Sequence, residues 1–329
     1  MYYLETGSTD PYYNLAFEEY VLRNYRDDDY LILWQNDNTV VLGQNQNAME
    51  EINQPFVDAH HIKVVRRCTG GGAVYHDLGN LNYSFITDAE RGEETAKRRL
   101  SEPVVRALHG LGIQAELSGR NDILVESCRV SGTAQRLMGQ RILHHGTLLF
   151  RSNLEMMAGA LRVNPDKFAS KSIKSVQSRV ANLCEFLPQT IDMRAFWDSI
   201  KQSLCNGTPH PVSLQPQETE AVRRLKTEKY ATWQWNFGRS PRCDVTNQRR
   251  WNGGTLEVSL QISEGRIEDI GFFGDFLSLD SPRTVEQALT GIPFTPEEVQ
   301  AVLSELPLPR FFGTITDTEI LSTLFLDDK

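Results

Sequence analysis

The 329-residue sequence lacks an excess of positive charge, a long apolar run and any paired-cysteine motif, and each absence closes a class of function. A formal net charge of −9 argues against a nucleic-acid surface as the main partner. No apolar stretch approaches the ~20 residues needed to span a bilayer. The five cysteines at 68, 128, 184, 205 and 243 are scattered, odd in number and without C-x-x-C spacing. A zinc ribbon or a thiol redox motif is therefore not expected, and free thiols in a reducing compartment are. Met1-Tyr2-Tyr3-Leu4-Glu5 has no basic segment leading into an apolar core, so a cytoplasmic location without a signal peptide is expected. Internal repeats and low-complexity segments are also missing. With 40% hydrophobic and 23% charged residues, the chain has the composition of a globular protein, long enough for one large domain and one small one.

Two familiar phosphate loops are absent as well. No Gly-Lys-Ser/Thr ends a glycine run, and no Gly-x-Gly-x-x-Gly follows a strand. What stands in their place is Val65-Arg66-Arg67-Cys68-Thr69-Gly70-Gly71-Gly72-Ala73-Val74-Tyr75-His76-Asp77-Leu78-Gly79-Asn80. Glycines without Cβ let a backbone approach a ligand and aim N–H groups at it. Guanidinium groups beside them match phosphate or carboxylate oxygens. The run reads as a cradle for an anion.

The periodicity predicts mixed α/β architecture. A short strand at 2–4 precedes a helix that starts with Asp10 as N-cap and Pro11 in its first turn. That helix places Leu15, Glu18, Glu19 and Leu22 on one face, so two carboxylates interrupt an apolar stripe. Strands are expected at 31–34 and 39–43, joined by a turn at Asn36-Asp37-Asn38, then at 62–65, 79–86, 122–125 and 147–150. A helix is expected over 92–110, a glycine turn at 130–135, mostly helix from 153 to 204, and helix again over 217–233. Phe237-Gly238-Arg239-Ser240-Pro241 marks a boundary between a catalytic domain, 1–243, and a small two-layer α+β domain, 244–329. The second begins with a hairpin, 254–262 and 267–273, and continues with helices near 283–289, 296–304 and 316–325.

Three further constellations carry candidate chemistry. In Ser118-Gly119-Arg120-Asn121-Asp122-Ile123, the side chains of Asn121 and Asp122 stand at a strand start, where they either form an ordinary turn or orient a ligand, with Asp122 a possible Mg²⁺ ligand. Arg129-Val130-Ser131-Gly132-Thr133-Ala134 reads either as a second anion cradle or as a surface arginine before a turn. His144 and His145 are adjacent on a strand, point to opposite faces, and so cannot chelate one metal. The adjacency of His76 and Asp77 raises the same objection to a catalytic dyad. Cys68 and Cys128 lie near motifs but have no histidine partner in the sequence and read as small buried hydrophobes rather than nucleophiles.

Taken in order, these segments resemble the lipoate–protein ligase A family over nearly the whole chain. The resemblance is carried by Asn14-Leu15-Ala16-x-Glu18-Glu19, Arg66-Arg67-x-Thr69-Gly70-Gly71-Gly72-Ala73-Val74-Tyr75-His76-Asp77 and Gly119-Arg120-Asn121-Asp122. It continues through Val130-Ser131-Gly132-Thr133-Ala134, His144-His145-Gly146-Thr147-Leu148-Leu149, Ser178-Arg179-Val180-x-Asn182-Leu183 and Trp233-x-Trp235-Asn236-Phe237-Gly238. It implies a mixed α/β domain like that of biotin ligases, followed by a small C-terminal domain. It implies ATP, Mg²⁺ and lipoate as ligands, lipoyl-AMP as intermediate, and transfer to a lysine of lipoyl carrier domains, E2 subunits or the glycine cleavage H protein, by a monomer. By resemblance, Arg67 contacts a phosphate, and Gly71, Gly72, Ala73, Val74 and Tyr75 cradle the adenylate. His76, Asn80, Asn121, Ser131, Gly132, Thr133, Ala134 and His145 line the rest of the substrate site, and Asp122 sits near phosphate and metal. One position departs from the pattern. The family's essential lysine, which bridges the lipoate carboxyl and the α-phosphate, precedes Val-Ser-Gly, and here that position is Arg129. The guanidinium keeps the charge but replaces a compact ammonium with a planar fork. That departure leaves open a transferase paralogue without the adenylation step and a non-enzymatic paralogue that binds lipoate or nucleotide.

Overall fold

A computed structural model describes residues 1–89, 93–118, 122–162, 180–238, 245–263 and 265–325. By contacts the chain forms two units. The first comprises Met1–Val41, Ile52–Val65 and Val74–Thr232, the second Leu42–Glu51, Arg66–Ala73 and Trp233–Lys329.

The first unit is built on strands β1 (Tyr2–Glu5), β2 (Tyr30–Trp34), β3 (Thr39–Leu42), β4 (Lys63–Arg66), β5 (Val74–His76), β6 (Asn80–Asp88), β7 (Ala115–Ser118), β8 (Asp122–Val125), β9 (Cys128–Met138), β10 (Arg141–Leu149) and β11 (His210–Pro211). Eight of them form a mixed sheet in the order β11-β1-β2-β6-β10-β9-β8-β7. β1 runs parallel to β2 and β11, and the other neighbours are antiparallel. β4-β3-β5 makes a separate small sheet. The two strands expected at 31–34 and 39–43 thus belong to different sheets. The turn residues between them were read correctly, but a turn does not fix which edge the chain rejoins. The glycine turn expected at 130–135 is instead the middle of β9. Ser131 and Gly132 pair with β8 and residues 133–135 with β10, and this pairing as strand outweighs the turn preference of Ser-Gly.

Helix Pro11–Asn24 starts as expected, the Asp10 carboxylate accepting from the Tyr12 N–H at 3.1 Å. It is buried around most of its circumference, Glu18 and Glu19 included. The core behind the sheet joins Leu31, Leu33, Tyr83 and Phe85 to Val104, Leu108, Phe196 and Ile200 from helices Glu93–Gly110 and Met193–Leu204. The helical reading of 153–204 is borne out at Leu154–Ala160 and Met193–Leu204, while 163–179 lies outside the described residues.

The second unit contains an antiparallel sheet, β12 (Val245–Trp251), β13 (Gly254–Ser263) and β14 (Arg266–Gly274), the last two forming the expected hairpin. Helices Arg283–Leu289, Pro296–Ser304 and Asp317–Phe325 cover it, with a fourth at Leu308–Phe312. β12 is not signalled in the sequence because it is an edge strand whose inward positions include the polar Asn247 and Arg249, so its burial alternation has no apolar counterpart. The core is aliphatic and phenylalanine-rich, with Phe312 against Phe272 and Phe276 at ring-centroid distances of 5.0 and 5.4 Å. The boundary residues 239–241 lie outside the described residues. No helix among the described residues is long and apolar enough to cross a membrane.

Candidate functional site

The glycine run belongs to the second unit up to Ala73, and its geometry is set by two arginines. Arg66 is fully buried. Its Nη1 donates to the carbonyls of Gly43 and Gln46 at 2.9 and 2.6 Å, its Nη2 to that of Asn236 at 2.8 Å, and its Nε to that of Trp235 at 3.1 Å. A guanidinium has five donors in a fixed fork, and a buried one is tolerable only when they are satisfied. Arg66 therefore binds loop carbonyls, not an external anion. Arg67, 6% exposed, donates from Nε to Thr69 Oγ1 at 2.9 Å and from Nη2 to the Gly70 and Gly72 carbonyls at 2.6 and 2.9 Å. The Gly71 N–H donates to the Phe276 carbonyl at 3.1 Å, with Gly71 at φ +88°. Close approach explains Gly43, where a Cβ would stand 1.8 Å from the Gly71 carbonyl oxygen. At Gly72 a Cβ would meet only Asp275 Cβ at 3.8 Å, so packing does not require glycine there.

In the first unit the remaining named residues cluster on neighbouring strands. Tyr75 and His76 lie on β5. The Tyr75 hydroxyl donates to Asn38 Oδ1 at 3.0 Å, and burial, with Asp77 and Asp37 nearby, raises its pKa to about 12. His76 Nδ1 lies 3.2 Å from the Asn36 amide. Asp77 accepts from the Gly79 and Asn153 N–H groups, as a turn and cap residue does, and makes no dyad with His76. Asn80 opens β6 and donates to Asn82 Oδ1 at 3.0 Å.

β8 and β9 bring Asp122 and Arg129 together. Arg129 Nε is 2.9 Å from Asp122 Oδ1, and the arginine side chain remains 42% exposed. This is the only ion pair of Arg129 among the described residues. The Arg129 carbonyl accepts from the Ala181 N–H at 3.2 Å, tying the strand to the segment that follows Val180. Ser131 is buried beside the buried Tyr83, whose hydroxyl burial pushes well above its ordinary pKa. The Ser131 hydroxyl lies within hydrogen-bonding reach of the Tyr83 hydroxyl, while Asn80 Oδ1 has no partner among the described residues. Asn80 points to the sheet face opposite Tyr83, and since buried polar atoms are almost always bonded, its Oδ1 marks a place where a ligand or water completes the set. Thr133 and Ala134 follow on β9, opposite Gly146 and His145 of β10. Asn121 lies outside the described residues.

His144 and His145 point to opposite faces, as strand alternation requires. His144 is enclosed by Gln135 Nε2 at 2.9 Å and Ser101 Oγ at 3.3 Å. His145 faces the helix Pro11–Asn24, its Nδ1 2.9 Å from Glu18 Oε1. The same oxygen accepts from the Ser84 hydroxyl at 2.6 Å, and Ser84 Oγ accepts from the Trp34 indole at 2.9 Å. This Trp34–Ser84–Glu18–His145 chain was missed in the sequence, although a carboxylate inside an apolar stripe was the signal for it. Glu18 Oε2 is a further buried atom without a partner. Glu19 is different. Burial raises its pKa, but the charge of Lys229 and hydrogen bonds from Lys229 at 2.6 Å and from Tyr230, with Arg23 beside them, outweigh it and leave the pKa lowered. The two carboxylates thus serve separate networks.

Among the described residues no group of three or more His, Cys, Asp or Glu side chains is placed to hold a metal. Asp122 alone fits the pattern of Mg²⁺ held by one carboxylate together with substrate phosphates. The four described cysteines, Cys68, Cys128, Cys184 and Cys205, form no disulfide among the described residues.

The comparisons agree with this arrangement along its length. Residues 10–205 match the model of the lipoyl protein ligase A/B catalytic domain, and 240–324 that of the bacterial lipoate protein ligase C-terminus. Lipoate–protein ligase 1 of Staphylococcus aureus is 41% identical over 95% of this chain and 96% of its own. A crystal structure of lipoate-protein ligase A bound with ATP superposes with a TM-score of 0.63 at 28% identity, covering 72% of this chain and 98% of the other. A bipartite lipoate protein ligase of Thermoplasma acidophilum, studied with its E2 lipoyl domain, gives 0.65 at 28% identity over 74% and 98%. The mixed sheet, the arginine-bound glycine run, the β8–β9 ion pair and two matching family models lead to one assignment: the chain belongs to the lipoate–protein ligase family.

Proposed function

We propose that this protein is an ATP-dependent, AMP-forming lipoate–protein ligase, and that Arg129 performs the charge neutralisation on which the first step depends. A lipoate carboxylate oxygen attacks the α-phosphorus of ATP. One O–P bond forms, the bond to the β-phosphate oxygen breaks, and pyrophosphate leaves. An acceptor lysine amine then attacks the acyl carbon, AMP departs, and the amine loses a proton. The first step brings two anions together, so fixed positive charge at their meeting point lowers its barrier most. The observation that carries this reading is Arg129 itself. Its Nε is held by Asp122 while the side chain stays 42% exposed, so the terminal nitrogens are offered to a ligand.

We assign the remaining roles as the family resemblance implies them. Gly71, Gly72, Ala73, Val74 and Tyr75 approach the nucleotide, with Arg67 holding the loop in shape. The buried amide oxygen of Asn80 marks a polar place for a ligand, and His145, oriented by Glu18, belongs to the acyl slot. Bound Mg²⁺ would supply charge to the phosphates next to Asp122 and Asn121. We further assign 1–243 to catalysis and 244–329 to an accessory domain, in keeping with the two family models. Acceptors would be lipoyl carrier domains, E2 subunits or the glycine cleavage H protein, as the E2 lipoyl domain studied with the archaeal relative suggests. We place the reaction in the cytoplasm and assign it to a monomer, as the family resemblance implies. The full-length relatives favour the ligase over a transferase or a binding paralogue. The test is incubation with lipoate, Mg-ATP and a carrier domain, read by intact mass. A single lipoyl addition that requires ATP is expected. No addition with ATP, but addition from supplied lipoyl-AMP, would overturn the ligase reading.

A further inference from the structure

Arg129 does not reach Asp122 by regular strand geometry. Between β8 and β9 the register runs Asp122 opposite Gly132 and Ile123 opposite Ser131, then shifts so that Leu124 faces Arg129. Val130 is the extra residue. Without the shift, residue 130 would face Leu124 and Arg129 would point to the opposite face of the sheet. A bulge re-aims one side chain, and here it moves Arg129 to the face that carries Asp122 and Gly132.

On that face the guanidinium lies directly over Gly132. A Cβ on residue 132 would stand 2.2 Å from Arg129 Nη2, 3.1 Å from Cζ and 3.4 Å from Nε. The first distance cannot exist in a folded protein, so any side chain at 132 displaces the fork. The Gly132 amide is meanwhile committed within the sheet, donating to Thr147 Oγ1 at 3.2 Å. A role for Gly132 as a phosphate-cradling N–H, the reading its sequence context invites, is therefore not the one its surroundings favour. What it provides is an empty site the size of a methyl group.

We propose that Gly132 is a positioning residue for Arg129: its missing Cβ is the seat of the guanidinium, and the bulge at Val130 with the Asp122 carboxylate sets the fork into that seat. The proposal rests on the assignment of Arg129 to adenylation. The family pattern has this glycine after a lysine as well, so the seat is available to either side chain, and what the arginine adds is an outer nitrogen that occupies it. A lysine ends near the position of Nε and Cζ, carries nothing where Nη2 lies, and does not need the seat. An arginine does, because its outer nitrogens project beyond that point and must lie flat to be aimed.

The experiment is a double-mutant cycle of Gly132→Ala and Arg129→Lys. Two quantities are read on all four proteins: the initial rate of lipoyl-AMP formation, and the affinity for a non-hydrolysable lipoyl-sulfamoyl adenosine. Gly132→Ala should lower both by on the order of tenfold or more with Arg129 present, and by less than about threefold in the Arg129→Lys background, a coupling in the range found for contacting residues. Melting temperature should fall equally in the two backgrounds, which separates positioning from folding. Equal losses in both backgrounds, or no loss in either, would overturn the seat. If the unmutated protein forms no lipoyl-AMP, the adenylation reading fails. The seat is then judged on analogue affinity alone, where a larger penalty with arginine supports it and equal penalties refute it.

Discussion

The arginines of the glycine run and the arginine of β9 carry the same group to opposite ends. Arg66 and Arg67 are 0% and 6% exposed, and their forks close on carbonyls and a threonine hydroxyl of their own unit. Arg129 is 42% exposed and has one carboxylate partner at its inner edge. A satisfied, enclosed guanidinium is an architectural element, whereas one held at a single edge remains a reagent. The sequence motif draws the eye to Arg66-Arg67, yet the charge we propose for the chemistry is Arg129, 62 residues after Arg67.

The largest effect should come from Arg66→Ala. It would remove the guanidinium donors from the carbonyls of Gly43, Gln46, Trp235 and Asn236 inside the second unit. A loss of about 3–5 kcal/mol in urea unfolding is expected, as for other broken buried networks. A loss below about 1 kcal/mol would contradict the architectural role. Arg129→Ala should do the reverse, lowering lipoyl-AMP formation by on the order of a hundredfold or more while shifting stability by no more than about 1 kcal/mol, the usual worth of a partly exposed pair. A stability loss as large as that of Arg66→Ala would erase the contrast. Arg67→Ala falls between them. Adenylation should be lost, and its three internal hydrogen bonds imply a folding loss of about 1.5–3 kcal/mol as well. Unchanged adenylation would show that the loop does not need Arg67 for nucleotide binding.

A smaller, pH-dependent effect belongs to Glu19. Its carboxyl is held below the ordinary glutamate value of 4.5, so the stability it contributes is fully present above pH 4.5 and is lost as pH falls through the lower folded-state value. Glu19→Gln should therefore destabilise at neutral pH and flatten the stability–pH curve below 4.5. A variant curve parallel to the unmutated one across that window would remove the Lys229–Glu19 linkage from the account. Smallest of all should be Cys68→Ser and Cys128→Ser, which are expected to leave acyl transfer intact. A hydroxylamine-sensitive acyl group on either thiol would move the protein to a thioester mechanism.

Much of this was legible in the sequence, for reasons specific to each element. The Asp10-Pro11 start, the 254–262/267–273 hairpin and the helices at 283–289 and 296–304 announce themselves because cap chemistry and periodicity are local. The split of 31–34 and 39–43 between two sheets was not legible, since strand partnership is decided by distant chain. β9 was misread because Ser131-Gly132 looks like a turn until β8 is present to pair it. In the site, the opposed faces of His144 and His145 followed from alternation alone. The inward commitment of Arg66, the Glu18–His145 contact and the bulge that turns Arg129 all depend on register, which no spacing in the chain reveals.

The measurement that bears most directly on Arg129 as the reagent is lipoate-dependent exchange of labelled pyrophosphate into ATP. It isolates the first half-reaction and needs no carrier. Exchange by the unmutated protein, lost in Arg129→Ala and kept or raised in Arg129→Lys, is the predicted result. Absence of exchange in the unmutated protein, with exchange gained in Arg129→Lys, would contradict the account and mark a chain that transfers activated lipoyl groups without making them.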